Sequence, residues 1–169
     1  MKKVLFLIGL MFCSAAIAGS DKWFSVTSGN SINDFYFSGI ESSSGNFFGQ
    51  FCYFSDTSCM YIFTMKTNCD EGYSYPILVS SEKGATSAIA VCLGKTKDLS
   101  ASRLSIGKFE DIDSSVRSSS RISLVIAGTE DMFNVHRFSL LGAVAEIDNM
   151  RKDFLKKAAT LPKPSSEKL

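Results

Sequence analysis

Four cysteines, Cys52, Cys59, Cys69 and Cys92, constrain this chain more than any other feature, because two covalent links among them would fix which segments lie side by side. Whether such links form depends on the compartment, and the N-terminus bears on that. Met1 to Ala18 reads MKKVLFLIGLMFCSAAIA: a dilysine start, an apolar run from Val4 to about Phe12, then small residues ending Ala16-Ile17-Ala18. This is the plan of a secretory signal cleaved after Ala18, so residues 1–18 are read as signal peptide. The apolar run is too short for a permanent membrane helix, which takes about 20 residues. A lipoprotein reading would place lipid on Cys13, but Met11 and Phe12 stand where small residues are needed. The short dilysine start, with no Asn-x-Ser/Thr anywhere, points to the periplasm or secreted fraction of a Gram-negative cell.

In that oxidising setting an even cysteine count favours structural disulfides. Four cysteines allow three connectivities, and composition does not choose among them. Chain geometry prefers 52–59, across a tight turn at Ser55-Asp56, and 69–92, across a second hairpin. Each bridge is worth about 2–4 kcal/mol by restricting the unfolded chain. The gaps of six, nine and 22 residues supply neither the C-x₂₋₄-C pair of a cysteine zinc site nor a C-x-x-C redox pair.

Short aromatic and β-branched bursts bounded by Gly, Ser, Asn and Asp predict strands. They are Trp23 to Thr27, Phe35 to Phe37, Phe47 to Phe54 and Cys59 to Met65. Pro76 to Ser80 and Ala88 to Leu93 follow, joined by a turn at Ser81-Glu82-Lys83-Gly84. In that hairpin Ile77 and Val79 share a face with Ala88 and Ala90, while Leu78, Ile89 and Val91 share the other. Both faces are apolar, so both are expected to be covered. Residues 94–120 carry a weaker pattern, in which Phe109, Ile112 and Val116 suit a short helix near Asp111 to Arg117 or a plain loop. Ile122 to Ala127 and Phe133 to Leu140 predict two more strands about a turn at Gly128 to Asp131.

After Gly142 the period changes. Val144, Ile147, Arg151, Phe154, Leu155 and Ala158 make one helical stripe, with acids early and lysines late. Pro162 and Pro164 end that helix. The expected architecture is mainly β (α+β): an antiparallel β-sandwich or partly open barrel with a C-terminal helix packed on it. A single β-rich domain spans 19–160, with its helix at about 143–159, and 161–169 form a flexible tail.

The chain carries 18 Lys+Arg against 17 Asp+Glu, which gives no bulk charge for nucleic acid. Without the leader, residues 19–150 hold 10 basic and 15 acidic groups, and residues 151–169 hold six and two. Lys152, Lys156 and Lys157 are therefore a candidate binding surface for anionic membrane or an acidic partner, set against an ordinary solvated helix face. The aromatic segment Phe47 to Phe54 is read as core rather than as an exposed binding edge.

His136 is the one histidine, so any Ser-His chemistry must use it, but no G-x-S-x-G elbow accompanies it. The carboxylate groups Asp70-Glu71, Glu110-Asp111-x-Asp113 and Glu130-Asp131 are adjacent residues on loops, which do not show the pair facing across a cleft that glycosidic chemistry needs, and the middle group reads as a solvated turn. The middle one would suit calcium only if a full D-x-[DN]-x-[DN]-G loop were present. No phosphate-binding glycine loop occurs. No cofactor, metal site or catalytic residue is expected.

One further reading rests on resemblance. Cys59-Met60-Tyr61, Thr67 to Gly72, Tyr75 to Val79, Gly84-Ala85 and Val91-Cys92 resemble small exported four-cysteine proteins of proteobacteria. The ending Phe133-x-Val135-x-Arg137-Phe138-Ser139-Leu140-x-Gly142 followed by a helix is faintly similar to that of the invasion-associated-locus-B type. The resemblance implies a periplasmic β-rich domain closed by a helix and supplies no catalytic residue. The expected function is that of an exported, disulfide-stabilised, non-enzymatic interaction or envelope-associated protein with an unidentified protein partner. The alternative is a small periplasmic hydrolase using His136.

Overall fold

Alternation governs the chain from Phe35 to Met65. In β2 (Phe35–Glu41), β3 (Phe47–Tyr53) and β4 (Cys59–Met65) every second side chain turns to one face. Tyr36, Ile40, Phe48, Cys52, Tyr61 and Phe63 are buried on it. The computed structural model describes residues 22–27, 29–95, 101–127 and 132–161. The expected signal peptide with Cys13, the expected turn at Gly128 to Asp131 and the expected tail from Pro162 onward lie outside the described residues.

The remaining strands are β1 (Phe24–Val26), β5 (Ser74–Ser81), β6 (Gly84–Lys95), β7 (Ser102–Ile106), β8 (Arg121–Ala127) and β9 (Phe133–Ser139). All nine join one antiparallel sheet in the order β1-β2-β3-β4-β7-β6-β5-β8-β9. The sheet curls until its two ends meet across the core. Phe48 on β3 packs on Phe138 of β9 at 5.3 Å, and Trp23 beside β1 donates to the Ser139 carbonyl at 2.8 Å. The end strands do not hydrogen-bond to each other, so the fold is the partly open form of the expected mainly β architecture.

Two helices line the inside of the curl. α1 (Phe109–Ser118) buries Ile112 and Val116, and α2 (Ala143–Ala158) buries Ala143, Ile147, Met150 and Phe154. Gly142 at φ 85° turns the chain from β9 into α2, a conformation that a side chain makes costly. A smaller core of Tyr36, Cys52, Phe54, Met150 and Phe154 anchors α2 to β2 and β3.

The structure corrects five expectations. A ninth strand, β7, lies in the stretch without a strong pattern. Its serines obscured the alternation of Leu104 and Ile106, both buried between β4 and β6. The α2 stripe is rotated: Met150 faces inward, while Val144 is partly exposed and Leu155 points outward at 65 % exposure. The aromatic segment is core only at alternate positions: Phe48 and Phe54 are buried, whereas Phe47, Phe51 and Tyr53 lie half-buried on the outer face. The Glu110-Asp111-x-Asp113 group is not a solvated turn, because it forms the start of α1 and Asp113 points into the protein. The β5–β6 hairpin is covered on one face only. Ile77, Val79, Ala88 and Ala90 are buried, while Leu78 and Ile89 face outward, since both helices pack within the curl.

Candidate functional site

Among the described residues, a polar assembly inside the protein is centred on Asp113. Its Oδ1 accepts from the Tyr61 hydroxyl at 2.7 Å, from Arg151 Nη2 at 2.7 Å and from Gln50 Nε2 at 3.4 Å. Its Oδ2 accepts from Arg117 Nε at 2.7 Å. Arg117 also reaches Asp148 at 2.8 Å, and Arg151 donates to Gln50 Oε1 at 2.6 Å. Burial by itself would raise the Asp113 pKa. The Tyr61 hydroxyl and the two guanidiniums outweigh it and hold the carboxyl below its ordinary value. Burial, followed by the bond to this carboxylate, pushes the Tyr61 phenol upward. Both Asp113 oxygens are thus taken and Tyr61 keeps its proton. The arrangement ties α1 and α2 to β3 and β4 and leaves no free acid or base. Its sequence signal was Arg151 within an apolar helical stripe, which demands a buried anionic partner; Gln50, Tyr61 and Arg117 gave none.

His136 lies on the inner side of β9. Its Nδ1 is 3.1 Å from the Asn46 amide nitrogen and its ring rests near Phe63. Burial lowers its pKa below the ordinary value, so the ring is neutral near pH 7. Its hydrogen-bond partner is an amide rather than a serine or a carboxylate.

The cysteines join as Cys52–Cys59, across directly paired positions of β3 and β4, and Cys69–Cys92, which ties the segment before β5 to β6. Among the described residues no three His, Cys, Asp or Glu side chains converge as metal ligands. No helix among them is long and apolar enough to cross a membrane.

The three lysines of α2 have different surroundings. Lys157 donates to Asn30 Oδ1 at 2.7 Å, and Lys156 lies 4.0 Å from Asp153. Lys152 and Lys156 flank the exposed Leu155.

What remains is the outer face of β6, β5, β8 and β9. Val135, Val125 and Leu78 are directly paired across three strands. Ile89 lies beyond Leu78, and Phe133, 71 % exposed, lies at the open end of β9. One row further on, Ser80, Ser123 and Arg137 are paired and line a hollow of about 230 Å³ with Arg121 and Glu82. Ser120 and the backbone around it bond the Glu82 carboxylate and lower its pKa to about 2, so it stays ionised. The hollow is smaller than ordinary ligand pockets, which run from roughly 300 Å³ upward. The apolar row is thus bordered by arginines and serines. Comparison of the chain with protein-family models, curated proteins and solved structures finds no match.

Proposed function

We propose that this protein is an exported, non-enzymatic interaction protein of the periplasm or envelope, and that it binds a protein partner through the outer face of β5, β6, β8 and β9. The observation that carries this reading is the Val135–Val125–Leu78 row, in which Val135 and Leu78 are exposed and Val125 half-buried, while Ile77, Val79, Ile122, Leu124, Ile126 and Phe138 on the inner face of the same strands are buried. The two disulfides support export, since such links persist in oxidising compartments. The leader sequence and the resemblance to small exported proteins point the same way. The amide partner of His136 supports a non-enzymatic role.

The test is capture from periplasmic extract by the wild-type protein and by Leu78→Lys and Ile89→Lys, each checked for unchanged melting temperature. A partner retained by the wild type and lost by both variants is the expected result. Equal capture by all three rejects the surface. Hydrolytic turnover abolished by His136→Ala would reject the non-enzymatic reading.

A further inference from the structure

The sheet has two ends, and they are treated differently. β1 is three residues long and is held by α2, where Ser25 donates to Glu146 Oε2 at 2.9 Å. β9 has seven residues in unbroken register with β8 from Arg121↔Ser139 to Ala127↔Phe133. Terminal strands usually carry a bulge, a proline or lysines that deter pairing with another chain. β9 has none of these, and its sole charge is Arg137. Contacts from elsewhere reach its second half, at Ser139 through Trp23 and at Phe138 through Phe48, and the inward His136 side chain, through Asn46 and Phe63. Phe133, Asn134, Val135 and Arg137 are exposed.

We propose that a second copy of this chain occupies that edge, the two β9 strands pairing antiparallel about a two-fold axis at Val135. The register follows from β9 itself. Residues whose numbers sum to twice 135 then face each other, so Val135 meets its counterpart and Phe133 meets Arg137 of the other copy, twice by symmetry. All of these lie on the outer face. Each Arg137 is thereby set over an exposed aromatic ring, an attractive cation–π pair, and kept away from its twin. Centring the axis on Arg137 would instead oppose two like charges, which is destabilising. Self-pairing about Val135 also joins the two apolar rows into one: Leu78, Val125 and Val135 of each copy form a continuous strip of six residues. This inference rests on the binding face proposed above and doubles it, giving a two-fold platform for the partner.

Sedimentation equilibrium of the oxidised protein, from residue 19 onward, over a concentration series tests the pairing. The wild type is expected to dimerise. Val135→Lys places two ammonium groups face to face at an edge where lysine is well tolerated, and is expected to raise the dimer dissociation constant at least about tenfold. Phe133→Ser removes the ring but not the strand and is expected to weaken the dimer in the same direction. Leu78→Lys, off the edge, is expected to leave self-association unchanged. A wild type that stays monomeric throughout, or a dimer indifferent to Val135→Lys and Phe133→Ser, overturns the pairing. If the protein is monomeric yet Leu78→Lys still loses the captured partner, the pairing fails and the binding face stands.

Discussion

Asp113 shows how one side chain can organise a fold without serving chemistry. Its side chain keeps only 13 % of its surface in water, while Arg117 and Arg151 keep 31 % and 28 %. Replacing it with alanine strands two guanidiniums and leaves Tyr61 without its acceptor. Removing one partner of a buried ion pair costs about 3–5 kcal/mol, and the partial exposure of both arginines places Asp113→Ala near about 3 kcal/mol. Tyr61→Phe, which loses one hydrogen bond to a charged group, is expected to cost about 1.5–3 kcal/mol. Chemical denaturation would show Tyr61→Phe as the milder change, and the reverse order would mean that the phenol rather than the carboxylate holds the helices. His136 acts at a different pH. Its folded pKa lies below that of the unfolded chain, ~6.5, so on acidification the unfolded state takes up a proton that the folded state resists. The stabilising contribution is complete above that value and is lost as pH falls through the lower folded value. Melting temperatures recorded from about pH 7 to about pH 5.5 should fall for the wild type and fall less for His136→Gln. Equal slopes would remove His136 as the cause.

At the scale of elements, hairpins carry most of the specification. Cys52–Cys59 spans seven positions and Cys69–Cys92 spans 23. Loop-closure entropy assigns about 2.5 kcal/mol to the first and about 3.5 kcal/mol to the second. The Cys69→Ser/Cys92→Ser pair is therefore expected to lower the denaturation midpoint more than Cys52→Ser/Cys59→Ser, and the opposite ranking would show that the chain-entropy account fails here. The β2–β3 pairing has its own requirement. Gly39 and Gly49 face each other, and the Phe37 ring lies across both. A Cβ on Gly39 would lie 2.6 Å from the Phe48 carbonyl oxygen, and one on Gly49 would collide with the Ser38 carbonyl. These contacts are with backbone and cannot be relieved by a rotamer change, so Gly49→Ala is expected to cost about 1–3 kcal/mol as overpacking. A thermal melt of that variant indistinguishable from wild type would show the strands freer to part than this geometry allows.

Over the whole molecule, local patterns told strand from helix and failed to tell which faces would be covered. Aromatic and β-branched bursts revealed β1, β2, β3, β4, β5, β6, β8 and β9, and turn residues marked both disulfide hairpins, because these are properties of adjacent residues. β7 escaped because Ser102 and Ser105 read as loop while serving as small residues in a central strand. The closure of the sheet was illegible for a different reason: the Trp23–Ser139 hydrogen bond joins positions 116 residues apart. For the same reason the bare face of β5 and β6 was expected to be covered. An apolar side chain at period two announces a strand, but only the assembled curl decides whether a helix lies inside it or outside. That curl also orders the local stabilities. β4, β7 and β6 sit mid-sheet with Tyr61, Leu104 and Ala90 fully buried, whereas β1 and the first half of β9 have one paired side each. Amide exchange should therefore be slowest at Leu104, Ala90 and Ile62 and fastest at Phe24 to Val26 and Phe133 to Val135 in the Val135→Lys protein, where self-pairing is suppressed. In the wild type, raising the concentration should slow exchange at Phe133 to Arg137 and leave β1 unchanged, since only β9 gains a neighbour. Uniform exchange along all nine strands would mean that the sheet opens as one unit rather than from its edges.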